Sequence, residues 1–382
     1  MEQINQAVQK IASFFDRPGV QVDIIKAGKN IPFGIERVFN PLLKIGGVYG
    51  TWGESFDNER LPSLLEQRLG RPLAPEQRLS LADLGFTNRH HIAKLSPEDD
   101  QAVELEIGAR LLKEACNTCG WDPSEVEGVL IGMSAPTGND YVAQICKLVG
   151  IPDSALKVAV HKACDSSVAC LHLALNPDMP ENKSLNLNIA KTLYGKKILV
   201  GGIEGLSRFI GTSHDPTALQ MFGNGAGVIG VIPGVTMKFL TGKTFEAFDT
   251  EGYLQVQMYY PHAGPKADTR LDVVQTGEHT IRVAGMMHEP ADGSSVIMAG
   301  PMGMVKLFVR NGVQVVHDVY GAYQAKLTEL GMTGKSISVA IVHHANYKIN
   351  KLKEKQLNSE GIVMAMPWLL SEFGNISAAS NM

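Results

Sequence analysis

Apolar positions recur along this chain in two rhythms, and the two alternate. Short runs with few polar breaks predict buried strands: VEGVLIGMS (126–134), LKVAV (156–160) and KKILVGGIEGLS (196–207). KIGGVYGTWG (44–53) predicts a strand that runs into a glycine turn. Between these runs lie stretches with helical spacing. PEDDQAVELEIGARLLKEAC (97–116) carries Pro97 and acids at its start. Ala102, Leu105, Ile107, Leu111, Leu112 and Ala115 give it an apolar side, and Gly120 follows its end. DYVAQICKLVG (140–150) predicts a short helix stopped by Gly150, and residues 165–175 predict another.

Strands that alternate with helices imply parallel βαβ units. Residues 44–235 form one such layer, interrupted at 176–188 by an inserted loop rich in turn formers. Residues 236–297 lose the pattern and read as an insertion or cap. A long helical stretch at 300–331 opens a second half, 298–382, in which 336–357 repeats the strand-turn-helix order. Residues 1–43 are an N-terminal extension. Within it, Ile4, Val8, Ile11 and Phe15 share one helical face, which suits a docked or partner-facing helix better than a membrane anchor.

Composition narrows the class. With 382 residues, 44% hydrophobic and 19% charged, the chain can bury a sizeable core. A net charge of −4 with no basic stripe argues against nucleic acid as a partner. No apolar run is long enough for a membrane span, and the first residues lack a secretory apolar core. Five cysteines without regular spacing point to a reducing, cytoplasmic setting.

Cys164 stands where strand 156–160 turns into helix 165–175. A helix N-terminus favours a thiolate there, as a nucleophile needs, although a buried cysteine also serves as a small packing residue. VAIVHHAN (339–346) delivers His343 at the end of a β run, with Asn346 at a helix start. His344 fits the same role on spacing alone. FGNISAAS (373–380) offers Asn375 on a Gly-Asn turn. Glycines 223, 225 and 227 precede a β run, so close backbone packing explains them better than a phosphate loop. Cys116 and Cys119 read as a structural helix end, and Arg89-His90-His91 as surface.

Taken in order, GFTNRHHIA (85–93), VLIGMSAP (129–136), VAVHKAC (158–164), GGIEGLSRFIGTSHDPTALQMFGNGAG (201–227), VIMAGPMGMVKLFV (296–309), HHAN (343–346) and FGNISAAS (373–380) resemble the β-ketoacyl-acyl-carrier-protein synthase III family of the thiolase superfamily. The resemblance spans most of residues 44–380. It implies an α/β protein of thiolase fold, two βαβ-type halves in a layered sandwich, assembled as a homodimer. It implies acyl transfer to Cys164 and decarboxylative Claisen condensation with a malonyl-type extender. His343 and Asn375 would hydrogen-bond the extender's thioester carbonyl. The implied partners are acyl-CoA or acyl-carrier-protein thioesters, in fatty acid or polyketide synthesis, with no metal and no cofactor.

Some positions depart from that pattern. Asp165-Ser166 follow the cysteine where relatives often have Ala-Gly, and SLADLGF (80–86) replaces the Trp and Arg that hold coenzyme A in many relatives. Pro301-Met302 replaces the Asn of the segment after Met-Ala-Gly. Relatives continue past the Asn-x-Ser-Ala-Ala-Ser turn through a helix and a final strand. The resemblance therefore implies that a sequence stopping at Met382 lacks the C-terminal end. Non-decarboxylative condensation, acyl transfer on the same fold, and a non-catalytic acyl- or carrier-binding partner are the alternative expectations.

Overall fold

The computed structural model describes residues 21–26, 30–92, 95–134, 140–179, 187–208, 220–243, 258–259, 272–284, 286–287, 309–332, 334, 336–337 and 339–382. The expected helix at 2–15 lies outside them, as does most of the inserted loop at 176–188.

Among the described residues, nine strands form one mixed sheet. In chain order they are β1 (Gln21–Lys26), β2 (Asn30–Asn40), β3 (Ile45–Trp52), β6 (Gly128–Gly132), β7 (Leu156–His161), β8 (Ile198–Glu204), β9 (Gly225–Val231), β11 (Asp272–Gly277) and β12 (Thr280–Ala284). Two strand pairs lie outside it: β4 (Glu54–Asp57) with β5 (Asn88–His91), and β10 (Met258–Tyr259) with β13 (Met286–Met287). The spatial order is β1-β2-β3-β9-β8-β6-β7-β12-β11. β8, β6, β7 and β12 run parallel, while β9 is antiparallel to both of its neighbours.

The helices are α1 (Leu61–Leu69), α2 (Pro97–Cys119), α3 (Tyr141–Val149), α4 (Ser166–Leu175), α5 (Ile189–Leu193), α6 (Arg310–Glu329) and α7 (Tyr347–Ser359). Those expected at 97–116, 140–150 and 165–175 are present, and Gly120 and Gly150 close the first two in left-handed conformation. Ser96 caps α2 by accepting the Asp99 N–H at 3.1 Å.

The uninterrupted apolar strands are explained by burial on both faces. Val129, Ile131 and Leu199 join α2 and α3 residues such as Ile107, Leu111 and Ile145 in one cluster. Leu130, Val158, Val160, Ile198 and Val200 join α4 and α5 residues such as Cys170, Leu173 and Leu193 in the other. Successive strand residues point to opposite faces, so a strand covered on both sides cannot alternate with polar positions. Burying each such side chain is worth about 1.5–3 kcal/mol.

Three expectations change. Residues 21–40 form a β-hairpin that extends the sheet before β3, a feature the sequence pattern did not suggest. The described part of 236–297 includes β11 and β12, and β12 lies parallel beside β7 as part of the same sheet. The run before His343 is not a regular strand. It makes one parallel bridge, Val339 to Ala365, because only that extended neighbour lies beside it among the described residues. The long helix expected at 300–331 is α6 over its described length, and residues 301–308 lie outside the description.

Two glycines set the height of what lies above the sheet. Gly132 of β6 and Gly202 of β8 are paired in register. A Cβ on Gly132 would lie 2.6 Å from the backbone of Ser166 and Ser167. A Cβ on Gly202 would lie 2.7 Å from the Ala378 carbonyl oxygen and the Ala379 Cα. The first turn of α4 and the turn at 377–381 both rest on bare backbone. The Gly132→Ala variant should lose about 1–3 kcal/mol, the usual cost of an added methyl group where backbone already fills the space. Urea unfolding should show a lower midpoint with an unchanged slope.

Candidate active site

β7 ends at His161, and the next four residues turn the chain into α4. Ser166 ties this turn together. Its Oγ accepts the Lys162 N–H at 2.8 Å and donates to the Ala163 carbonyl at 2.7 Å. Ala163 sits at φ 49°, in the left-handed region that costs a non-glycine residue about 1–2 kcal/mol. Cys164 therefore lies at the strand-to-helix turn predicted for it, half-buried. Asp165 does not cap α4 with its side chain. It pairs instead with Lys162 at 3.1 Å, one residue on either side of the thiol.

Asn375 arrives from the far end of the chain. Gly374, at φ 74°, lets the backbone pass Met221, whose carbonyl oxygen would lie 2.8 Å from an added Cβ. Asn375 then bridges to Phe222, and its N–H donates to the Met221 carbonyl at 2.6 Å. The Asn375 Oδ1 accepts the Ser377 N–H at 2.9 Å, so the side chain is locked. Its Nδ2 has no hydrogen-bond partner among the described residues. The glycines at 223–227 serve this packing. An added Cβ on Gly223 would meet the Phe373 carbonyl at 2.4 Å, and one on Gly225 would meet Ile376.

Ser377 joins the two ends of the chain. Its Oγ lies 3.4 Å from the Cys164 Sγ and 2.6 Å from the Ser134 Oγ. Ser377 itself sits at φ 41°, a second strained residue at the same contact. Three residues later, the Ser380 Oγ lies 2.5 Å from Nδ1 of His343 and 2.7 Å from the Ser377 carbonyl. Cys164, Asn375 and His343 are thus connected through one turn, 375–380.

The two histidines separate. His344 is buried, with its ring nitrogens 2.9 Å from the Pro367 carbonyl and 3.2 Å from the Ser380 carbonyl. Its ring also packs on Trp368, with centroids 5.0 Å apart. It fastens the backbone. His343 keeps Nε2 without a partner among the described residues. Burial, and then the charges of Lys353 and His344, press the His343 imidazole down to about 3. It is neutral at physiological pH. The helix start predicted at Asn346 is present, and its Oδ1 accepts the Ile349 N–H at 3.0 Å.

The thiol differs from expectation. A helix N-terminus should lower it, yet burial pushes Cys164 up to about 11. The Ser377 hydrogen bond opposes that rise, while the charges of Glu204 and Asp165 add to it. Glu204, at the end of β8, is the residue that sequence reasoning missed. Its Oε1 accepts the Ser134 N–H at 2.7 Å, the Ser134 hydroxyl at 2.6 Å and the Ala378 N–H at 3.1 Å. Its Oε2 is buried with no partner among the described residues. Burial raises this carboxyl to about 7, against the pull of those three donors and of Arg208. The available signal was a lone acid closing an otherwise apolar strand, ILVGGIE.

Arg89 and His91 also correct an expectation. They are buried on β5, not on the surface. Arg89 donates to the Asn58 side chain, and the His91 Nδ1 lies 3.1 Å from the Ser207 hydroxyl. Cys116 and Cys119 lie at the end of α2, as expected of a structural helix end.

No protein-family model matches the chain, and no curated protein matches it. Solved structures do. A type III pentaketide synthase from Neurospora crassa superposes with a TM-score of 0.54 at 16% identity, over 88% of this chain and 86% of that one. A fungal type III polyketide synthase gives 0.53 at 14% identity, over 88% and 86%. The 1,3,6,8-tetrahydroxynaphthalene synthase of Streptomyces coelicolor gives 0.52 at 12% identity, over 88% and 87%. The fold is the thiolase fold. At these identities the likeness concerns fold, and the chemistry rests on the residues described above.

The raised carboxyl predicts a pH dependence of stability. Glu204 holds its proton more tightly in the folded state, about 7 against an ordinary 4.5. Between those values the folded chain carries more of this proton than the unfolded chain. Its contribution is full below pH 4.5 and is lost as pH rises towards 7. The total is at most about 3 kcal/mol. Thermal melts of Glu204→Gln should show less decline across this window than the native chain.

Proposed function

We propose that this protein forms β-ketoacyl thioesters by decarboxylative Claisen condensation of an acyl thioester with a malonyl-type thioester. The observation that carries this reading is the single turn, 375–380, which connects Cys164, Asn375 and His343 by hydrogen bonds. Cys164 takes the acyl group from acyl-CoA or an acyl-carrier protein. The extender's thioester carbonyl then accepts from His343 Nε2–H and Asn375 Nδ2–H. Loss of carbon dioxide places negative charge on that oxygen, where two fixed donors stabilise it more than they stabilise the ground state. The enolate carbon attacks the acyl carbon on Cys164, and the cysteine thiolate leaves.

A neutral His343 suits this donor role. For Nε2 to carry the proton, Nδ1 must accept one, which requires the single Ser380 hydroxyl proton to turn from the Ser377 carbonyl to His343. The reaction requires no metal or redox cofactor. The resemblance also supports a cytoplasmic homodimer. No helix among the described residues is long and apolar enough to cross a membrane.

One observation favours a second reading, a non-catalytic acyl- or carrier-binding role. The Cys164 thiol is raised, and two carboxylates contribute to that rise. The Lys162–Asp165 pair answers part of the objection by placing a cation beside the nearer acid.

Incubation with a panel of acyl-CoA and acyl-carrier thioesters, followed by intact mass and peptide mapping, separates the readings. Acyl mass should appear on Cys164 and not on Cys116, Cys119, Cys146 or Cys170. Label elsewhere with Cys164 free overturns the nucleophile assignment. His343→Ala and Asn375→Ala should each slow malonyl decarboxylation by about a hundred- to a thousand-fold while acylation persists.

A further inference from the structure

The buried carboxyl of Glu204 has no role in the chemistry above, yet it lies at the end of an unbroken series of hydrogen bonds from the thiol. Cys164 Sγ meets Ser377 Oγ at 3.4 Å, Ser377 Oγ meets Ser134 Oγ at 2.6 Å, and the Ser134 hydroxyl donates to Glu204 Oε1 at 2.6 Å. One orientation satisfies all three contacts. The thiol donates to Ser377, Ser377 to Ser134, and Ser134 to the carboxylate.

We propose that Glu204 takes up the Cys164 proton through Ser377 and Ser134 as the sulfur attacks an acyl donor. The inference rests on the reading that Cys164 is the acylated nucleophile. The S–H bond breaks as sulfur bonds to the thioester carbonyl carbon. The thiol proton passes to Ser377, the Ser377 proton to Ser134, and the Ser134 proton to Glu204 Oε1. The carrier sulfur leaves as a thiolate and takes a proton back along the same series, which restores the carboxylate. The net change is one acyl group exchanged for one proton between two sulfurs.

Charge explains why a relay serves better than loss of the proton to water. A Glu204 carboxylate already opposes a Cys164 thiolate. Direct ionisation would place two negative charges in one buried space. Transfer to Glu204 keeps one negative charge throughout. The surroundings suit this exchange. Arg208, just beyond β8, favours the charged carboxylate, and burial disfavours it. Asp165, the other acid acting on the thiol, is held by Lys162. Three donors fix Oε1, and the strained Ser377 backbone holds its hydroxyl between the thiol and Ser134.

Alkylation of Cys164 by iodoacetamide tests the relay without any thioester. In the native chain the rate at Cys164, read by peptide mass, should rise to a plateau through the Glu204 titration at about pH 7. Glu204→Gln should abolish that inflection and slow alkylation at pH 8 by roughly a hundredfold, the scale of general-base assistance. Ser134→Ala, which leaves the carboxyl in place, should do the same. A carboxylate that only repels the thiolate predicts the opposite, faster alkylation once it is removed. Equal or faster alkylation in Glu204→Gln, or an unchanged profile in Ser134→Ala, overturns the relay. An inflection that both substitutions remove, in a chain that no thioester acylates, upholds the relay and refutes the condensing reading.

Discussion

Everything at this site depends on two side chains that are absent. Gly132 and Gly202 face each other across β6 and β8, and each has backbone from another segment within 2.7 Å of where a Cβ would stand. One supports the first turn of α4, the other the turn at 377–381. Segments more than two hundred residues apart are thus brought onto neighbouring strands, and the 3.4 Å contact of Cys164 with Ser377 follows. Two of the non-glycine residues with positive φ, Ala163 and Ser377, belong to the two turns that meet there. Strain of about 1–3 kcal/mol at each persists only because the packing beneath leaves no other path.

The electrostatics follow from the same burial. Desolvation disfavours every charged form, so it raises the thiol and the carboxyl and lowers the imidazole. The site holds its groups neutral or nearly so. Under the proposed condensation, that serves a histidine which must donate a hydrogen bond, and it hampers a cysteine which must lose a proton. The serines reconcile the two demands. Ser380 holds His343 at Nδ1, and Ser377 offers the thiol an acceptor other than water.

Much of this was legible in the sequence, for identifiable reasons. The core strands could be read because burial on both faces leaves few polar positions to confuse their pattern, Lys157 in β7 and the terminal Glu204 of β8 being exceptions. Cys164 at its turn, and Asn346 at the start of α7, could be read because local backbone geometry dictates them. Three things could not. The hairpin at 21–40 carries a strand-like alternation, Ile31, Phe33 and Ile35, but Pro32 and Gly34 stand between those positions and obscure it. Arg89 and His91 looked exposed because their burial depends on Asn58 and Ser207, which are distant in sequence. Glu204 and Ser377 lie within the matching segments, but no local pattern assigns them a role, since only a non-local contact makes a buried acid and a serine into neighbours of a thiol.

A carboxyl closing an apolar strand is expensive unless donors meet it, and here three donors converge on one oxygen and leave the other bare. A purely structural acid would gain from satisfying both oxygens or from full pairing with a cation. Glu204 has neither arrangement among the described residues, and Arg208 falls short of offsetting its desolvation. A group held between its two protonation states at neutral pH contributes less to stability than a glutamine of the same shape could. It is also the only kind of group that can accept a proton there and return it.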